Sequence, residues 1–173
     1  NQKLRWVNEC LGYGAAWIML IPLTAHRHEH LAHHRHTNDP DADPDYAVAD
    51  LVRTPWQPVV AICRLMWKQY LYYFTQRWGK GPRSQDRRFC LELAAGIGVR
   101  LAFMAQGYWL EGIMLFLVGG LGGVMLTMYL FAYVVHHPHK VMGRYVDTST
   151  IDVPGALGTV VTTLWLYQNY HSI

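Results

Sequence analysis

The sequence predicts an all-α integral membrane protein, a transmembrane helical hairpin with interfacial helices and a histidine-rich face on the cytoplasmic side. Three observations carry this. Gly112–Val135 runs for 24 residues without a charge. Ten of the 15 Lys and Arg fall between Arg27 and Arg88. Six of the 10 His fall between His26 and His36.

Composition narrows the alternatives. A length of 173 residues suits one domain, and 51% hydrophobic residues with 7 Trp and 11 Tyr exclude a disordered chain. Cys10, Cys63 and Cys90 include no close pair, which excludes a disulfide framework and a cysteine zinc ribbon. A net charge of +3 is too small to argue for nucleic acid, and none is expected as a partner. The chain starts at Asn1 without Met and stops at Ile173 inside a pattern, so a fragment is expected.

The elements follow in order. Cys10–Ala25 is apolar but only 16 residues long, which suits a re-entrant or tilted helix or the remainder of a longer span. Thr54–Phe74 mixes Trp and Tyr with Arg64 and Lys68, the composition of a helix lying at the membrane surface. Gln76–Arg88 is polar, basic and contains Gly and Pro, and reads as a solvent loop. Leu91–Leu110 is a weaker second span, since Glu92 sits near one end and Arg100 in its middle. Gly112–Val135 as a helix rises roughly 36 Å, more than a hydrocarbon core of about 30 Å requires. Its Gly119 and Gly123 form a GxxxG through which another helix can approach, although glycine is also simply common in such helices. The short connection Gln106–Gly112 has no Lys or Arg and carries Glu111, so the positive-inside rule sends it to the far side. His136, His137 and His139 then return to the same face as His26–His36.

The segment His26–Asp45 reads HRHEHLAHHRHTNDPDADPD. At roughly 100° per helical residue, His26, His30, His33 and His34 share a stripe about 100° wide, while His28 and His36 point elsewhere. A lone histidine is usually a surface or core residue. Six in eleven beside a span point to metal binding. Imidazole serves zinc, copper, iron and nickel, and spacing alone does not choose among them. The HExxH zinc signature is absent, because Ala32 stands four places after His28. An EF-hand fails for want of the Gly and the closing Glu. Asp39, Asp41, Asp43 and Asp45 form either a Pro-punctuated acidic turn or carboxylate acceptors for the ligands' second ring N–H, a role expected of Asp39, Asp43 and Asp45. Position alone makes His136 and His137, just before Pro138, polar helix ends.

HLAHHRHTNDPDADPD resembles the second histidine box of the membrane fatty-acid desaturase superfamily, nearest to its bacterial fatty-acid desaturase and CrtR-type β-carotene hydroxylase branches. VVHHPHK resembles the helix-end element between that box and the third, QNYHSI the opening of the third box, and NQKLRWVNECLGY the stretch that follows the first. The resemblance covers residues 1–173 as a single domain, with the first box and the end of the third missing. It implies His30, His33, His34, His136 and His171 as metal ligands, with His137 the alternative to His136 and Asn169 near a metal-bound water. It implies two iron ions, O₂ as co-substrate, an apolar lipid substrate, and a ferredoxin or cytochrome b5-like electron donor, which the basic loop 76–88 can dock. Positive-inside topology explains that loop equally well. A bacterial inner membrane with a cytoplasmic metal face follows from the same resemblance. The expected activity is O₂-dependent desaturation of a fatty acyl chain in lipid or CoA form, with β-ring carotenoid hydroxylation as the alternative. This fragment alone, lacking several of the family's ligands, is expected to be inactive. From other classes, a histidine-rich metal transporter predicts ionisable ligands within the spans, and Gly112–Val135 has none. A non-catalytic membrane scaffold predicts a start codon upstream with no first box.

Overall fold

The computed structural model describes residues 4–46, 56–133, 141–142 and 152–164, and among these residues every regular element is a helix. Helix α1 is Arg5–Met19, α2 is Leu23–Arg35 and α3 is Gln57–Tyr72, extended by a π-helical turn over Tyr73–Arg77. Helix α4 is Arg83–Ala105. Helix α5 covers 109–133 in alternating α and π segments, Trp109–Met114, Leu115–Gly122, Gly123–Thr127 and Met128–Tyr133. Helix α6 is Gly155–Leu164. Chain contacts divide these elements into two compact units, residues 1–29 with 69–124 and residues 30–68 with 125–173.

In the first unit α1 packs on α4 and on the first half of α5. Glycines set how closely. A Cβ at Gly119 would lie 3.3 Å from the Ile18 carbonyl oxygen, and one at Gly123 3.5 Å from the Met19 side chain. The GxxxG therefore receives the last turn of α1. The apolar run from Cys10 to Ala25 is not one helix. Leu20 adopts left-handed φ 57° and ψ 28° and ends α1, and Pro22 heads α2, its carbonyl accepting the His26 N–H at 3.0 Å. Left-handed backbone costs a non-glycine residue roughly 1–2 kcal/mol, and here Gly96 of α4 leaves the space that the Leu20 side chain fills, 3.1 Å from where its Cβ would be.

This break is held by the ionisable side chains that made α4 look costly as a span. Arg100, 1% exposed, donates to the carbonyls of Ile18 at 2.7 Å and Gly96 at 2.8 Å, and reaches Leu115 O at 3.4 Å. Its guanidinium also lies over Trp17 and Phe116, 5.8 and 5.5 Å from the ring centroids. The Tyr70 hydroxyl donates to Met19 O at 3.1 Å. Carbonyls at the end of α1, which have no partner within their own helix, are thus satisfied from α3 and α4. Glu92 performs the converse task at the start of α2, accepting the Thr24 N–H at 2.9 Å and its hydroxyl at 2.8 Å.

Two expectations need correction. The residues 76–88 are not a solvent loop: Gln76 and Arg77 belong to the π-helical turn, and Arg83–Arg88 form the start of α4. Only 78–82 connect them, with positive φ at Gly79, because no glycine or proline interrupts the chain after Pro82 until Gly96. Tyr73 stacks on Phe89 across this corner at 4.3 Å. The weaker span also shifts. The helix begins at Arg83 and stops at Ala105, Gly107 (φ 93°) makes the turn, and Leu110 already belongs to α5. Within α5, the 22 residues Trp109–Leu130 are long and apolar enough to cross a membrane, and among the described residues no other helix is.

In the second unit, the end of α2 runs into the acidic turn and α3 begins at Gln57. In the part of α3 that belongs to this unit Ile62 and Leu65 are buried, while Val59, Val60 and Trp67 are exposed, as is Trp56 just before the helix. Residues 54–55 of the stretch Thr54–Phe74 lie outside the described ones.

Candidate metal centre

Helix α2 brings three of the sequence-predicted histidines together on one face. His30 Nε2 and His34 Nε2 are 3.0 Å apart, with the rings edge to face at 4.4 Å. His33 stands beside both, its ring centroid 6.4 Å from that of His30 and 5.6 Å from that of His34. The i, i+3, i+4 spacing dictates this grouping. The other histidines of the helix go elsewhere. His26 Nδ1 meets the Gln69 side chain at 3.2 Å, and His28 lies against Tyr73, 6.1 Å between ring centroids.

The acidic turn is organised around Asp43. Its Oδ1 accepts from His33 Nδ1 at 2.8 Å and from the Asp45 N–H at 2.8 Å. Its Oδ2 accepts the Asn38 N–H at 2.8 Å. Asn38 has φ 61°, a left-handed conformation that asparagine tolerates better than most residues. Its side chain is anchored on the Val141 carbonyl at 2.9 Å, while the Thr37 hydroxyl donates to His33 O at 3.0 Å. Asp39 serves the turn itself, Oδ1 accepting from the N–H groups of Asp41 and Ala42. Asp45 Oδ2 approaches His33 Nδ1 at 3.8 Å, beyond hydrogen-bond range. Of the three carboxylates expected to hold a histidine, Asp43 makes the bond, Asp45 contributes charge nearby, and Asp39 does neither.

The electrostatics agree with this division. Burial pulls the His33 imidazole down, but the bond to Asp43 and the charges of Asp45 and Asp43 outweigh it and hold the group above its ordinary value. Burial pushes the Asp45 carboxyl up, with His33 opposing, Asp43 adding and Lys68 opposing.

His33, Asp43 and Asp45 offer ligand atoms within 4.8 Å of one another. They are nevertheless a poor three-ligand set, because His33 would have to present Nδ1, the nitrogen already bonded to Asp43. A better fit uses the opposite nitrogen. With Asp43 on Nδ1, His33 is held as the tautomer whose Nε2 carries a lone pair for a metal, the usual carboxylate–histidine–metal arrangement. The Nε2 atoms of His30 and His34, hydrogen-bonded at 3.0 Å, are near enough to each other on one helix face to serve one ion. The donor set is all imidazole, which suits iron as well as zinc, copper or nickel. His136, His137, Asn169 and His171 lie outside the described residues.

A family model described as "Fatty acid desaturase" matches residues 1–173. The chain belongs to the fatty acid desaturase family. Among curated proteins it is similar to an "Acyl-lipid (7-3)-desaturase" of Diacronema lutheri, 29% identical over 127 residues, a match covering 61% of this chain and 28% of that protein. The chain therefore spans less than a third of that relative's length. No solved structure matches.

The first unit also holds a mainly apolar cavity of about 630 Å³ between α1 and α4, lined by Tyr13, Trp17, Leu20, Leu91, Glu92 and Gly96 among others. None of the described histidines lines it. Nothing in the sequence pattern signalled it, because its two walls are separated by about seventy residues. The particular groups that Arg100 and Glu92 bond were not readable for the same reason. Their one signal was the placement of charge inside an apolar stretch.

Proposed function

We propose that residues 1–173 are part of one O₂-dependent di-iron desaturase domain that introduces a double bond into a fatty acyl chain carried on lipid or CoA. The observation that carries the reading is the His30–His33–His34 cluster with Asp43 fastened to the far side of His33. In this reading His30, His33, His34, His136 and His171 are ligands, with His137 the alternative to His136. A bound pair of iron ions would supply the power to take two hydrogens from an unactivated pair of methylenes, using O₂, two electrons from an external donor and two protons, with the dioxygen leaving as two waters. The chain's own contribution is positional. Asp43 holds the His33 ring and its tautomer, Asn38 and Asp45 hold Asp43, and the Pro-containing turn holds all three against the end of α2.

Membrane insertion belongs to the same proposal. Helix α5 is apolar yet mostly uncovered, with Leu117, Val118, Leu121 and Leu126 exposed, and such a surface is stable in lipid and not in water. Helices α4 and α5 then cross as a hairpin, α3 lies at the interface, and the histidines face the cytoplasm of a bacterial cell. The electron donor is a ferredoxin or a cytochrome b5-like protein.

The test uses the full-length natural protein. Expression in a host lacking the activity is expected to create new double bonds in the acyl lipids, with two irons per chain by elemental analysis. One zinc per chain, or hydroxylated carotenoids with unchanged acyl unsaturation, would overturn the reading. His33→Ala is expected to lose iron while the helix content is retained.

A further inference from the structure

The corner between α3 and α4 is built tightly and carries cations that have no carboxylate partner among the described residues. Trp78 N–H bonds Tyr73 O at 2.8 Å, Lys80 N–H bonds Arg77 O at 3.0 Å and Gln85 N–H bonds Pro82 O at 2.9 Å. Tyr73, Phe74, Trp78 and Phe89 form one aromatic cluster with ring centroids between 4.3 and 6.4 Å apart. Asp86 is the sole acid between Tyr73 and Leu91, and it is occupied within the corner, accepting the Tyr73 hydroxyl at 2.9 Å and the Gly79 N–H at 3.3 Å.

Around it stand Arg77, Lys80, Arg83, Arg87 and Arg88. Among the described residues none of the five lies within ion-pair distance of a carboxylate, although Arg88 contributes to the field at Glu9. Lys80 Nζ reaches only the Thr75 carbonyl, at 3.4 Å, and Arg77 Nε is buried without an acceptor. Arg83 and Arg87 are four residues apart and share one face of α4. Arginines in the first two turns of a helix oppose its dipole, where acids would be favoured. Helix stability therefore does not explain them. Phe74 and Trp78, 48% and 45% exposed, project large apolar surface among these charges. Four or more cations interleaved with exposed aromatics at the head of α4, the helix that packs on the long apolar α5, match an anionic bilayer surface, with headgroup phosphates for the cations and the interfacial layer for the rings.

We propose that residues 74–88 form a binding surface for anionic phospholipid headgroups, in which Arg77, Lys80, Arg83 and Arg87 contact phosphate and Phe74 and Trp78 enter the interface. This rests on the membrane reading of α5, though not on the chemistry assigned to the histidines.

The test takes the full-length protein reconstituted in phosphatidylcholine vesicles and compares spin-labelled phosphatidylglycerol with spin-labelled phosphatidylcholine at the protein surface. A preference for phosphatidylglycerol is expected, falling about fivefold for each cation removed, so that Arg83→Gln/Arg87→Gln abolishes most of it. Salt at about 0.5 M, where the Debye length is well under 10 Å, is expected to reduce it similarly. The milder Lys80→Gln covers the case in which the double variant fails to fold, as judged by circular dichroism. An unchanged preference in folded variants overturns the proposal. So does a result in which the variants keep the lipid preference but lose binding of a reduced plant-type ferredoxin, which would make the corner a protein dock. Release of the chain from vesicles by alkaline carbonate would overturn both this surface and the membrane reading. A chain retained in the bilayer without lipid preference overturns the surface alone.

Discussion

The Glu92 carboxylate closes the N-terminus of α2 through two hydrogen bonds from Thr24, a residue 68 positions earlier in the chain. Helices usually cap themselves with a Ser, Thr, Asp or Asn a residue or so before the first turn. Here Ile21 and Pro22 precede the helix and offer no side-chain acceptor, and α4 supplies one. Glu92→Leu leaves two donors of the nearly buried Thr24 without it and is expected to destabilise the protein by about 1–3 kcal/mol. Thermal unfolding of the full-length protein in detergent reads this. A variant as stable as the parent would show that water replaces the carboxylate without loss.

Arg100 is the larger structural commitment. Replacement by Leu removes the donor to Ile18 O, Gly96 O and Leu115 O at once, leaving the backbone at the end of α1 unsatisfied. A loss of about 3 kcal/mol or more is expected. Lys at this position keeps charge but not the fork of donors, so Arg100→Lys should recover only part of it. Equal stability of the Lys and Arg forms, measured by denaturant unfolding, would contradict the geometry.

Asp43 and Asp39 separate two kinds of acidic residue. Asp43→Asn weakens the hold on His33 Nδ1 and is expected to lower metal affinity roughly 10–100-fold, measured by competition with a chelator. Asp39→Asn loses only acceptor strength toward the Asp41 and Ala42 amides and is expected to leave that affinity within about twofold, as for a residue outside the orienting shell. If the two variants lose metal equally, the acidic turn acts through its overall charge.

Tyr73 provides a pH signature. Burial, then the bond to Asp86 and the charge of Asp86, push its phenol up to about 12 from an ordinary 10.0. The folded protein favours the neutral phenol, so its stabilising contribution is whole below the unfolded value and disappears as pH rises through the folded one. A spectrophotometric tyrosine titration of the folded protein should show a late-ionising phenol that Tyr73→Phe deletes. An identical high-pH limb in the variant would exclude the assignment.

The histidine cluster was legible because its information is local. Spacings of three and four residues fix which imidazoles share a helix face, whatever the helix packs against, and His30, His33 and His34 meet as their positions require. The long apolar helix was legible for a similar reason, since 24 residues without charge declare themselves. The run 76–88 misled because its composition mixes loop signals, Gly79, Gly81 and Pro82, with six residues after Pro82 that are perfectly able to be helical. Which of the acids would bind His33 was also beyond local rules. Asp39, Asp43 and Asp45 all lie within reach in sequence, and the choice falls on Asp43 because Asn38, in left-handed backbone, turns its amide toward that carboxylate.

Local pattern along the chain was enough for a helical protein with one long apolar helix, a cluster of histidines on one helix face, and a resemblance to desaturases that the family comparison bears out. Tertiary structure alone decided where the first apolar stretch breaks and what two costly charges do inside α4. The physical reason is the range of the interactions. Helical periodicity and hydropathy act over a few residues and can be counted along the chain. The bonds from Glu92 to Thr24 and from Arg100 to Ile18 join backbone groups to side chains 68 and 82 positions away, and only the packing of α1 against α4 brings them within reach.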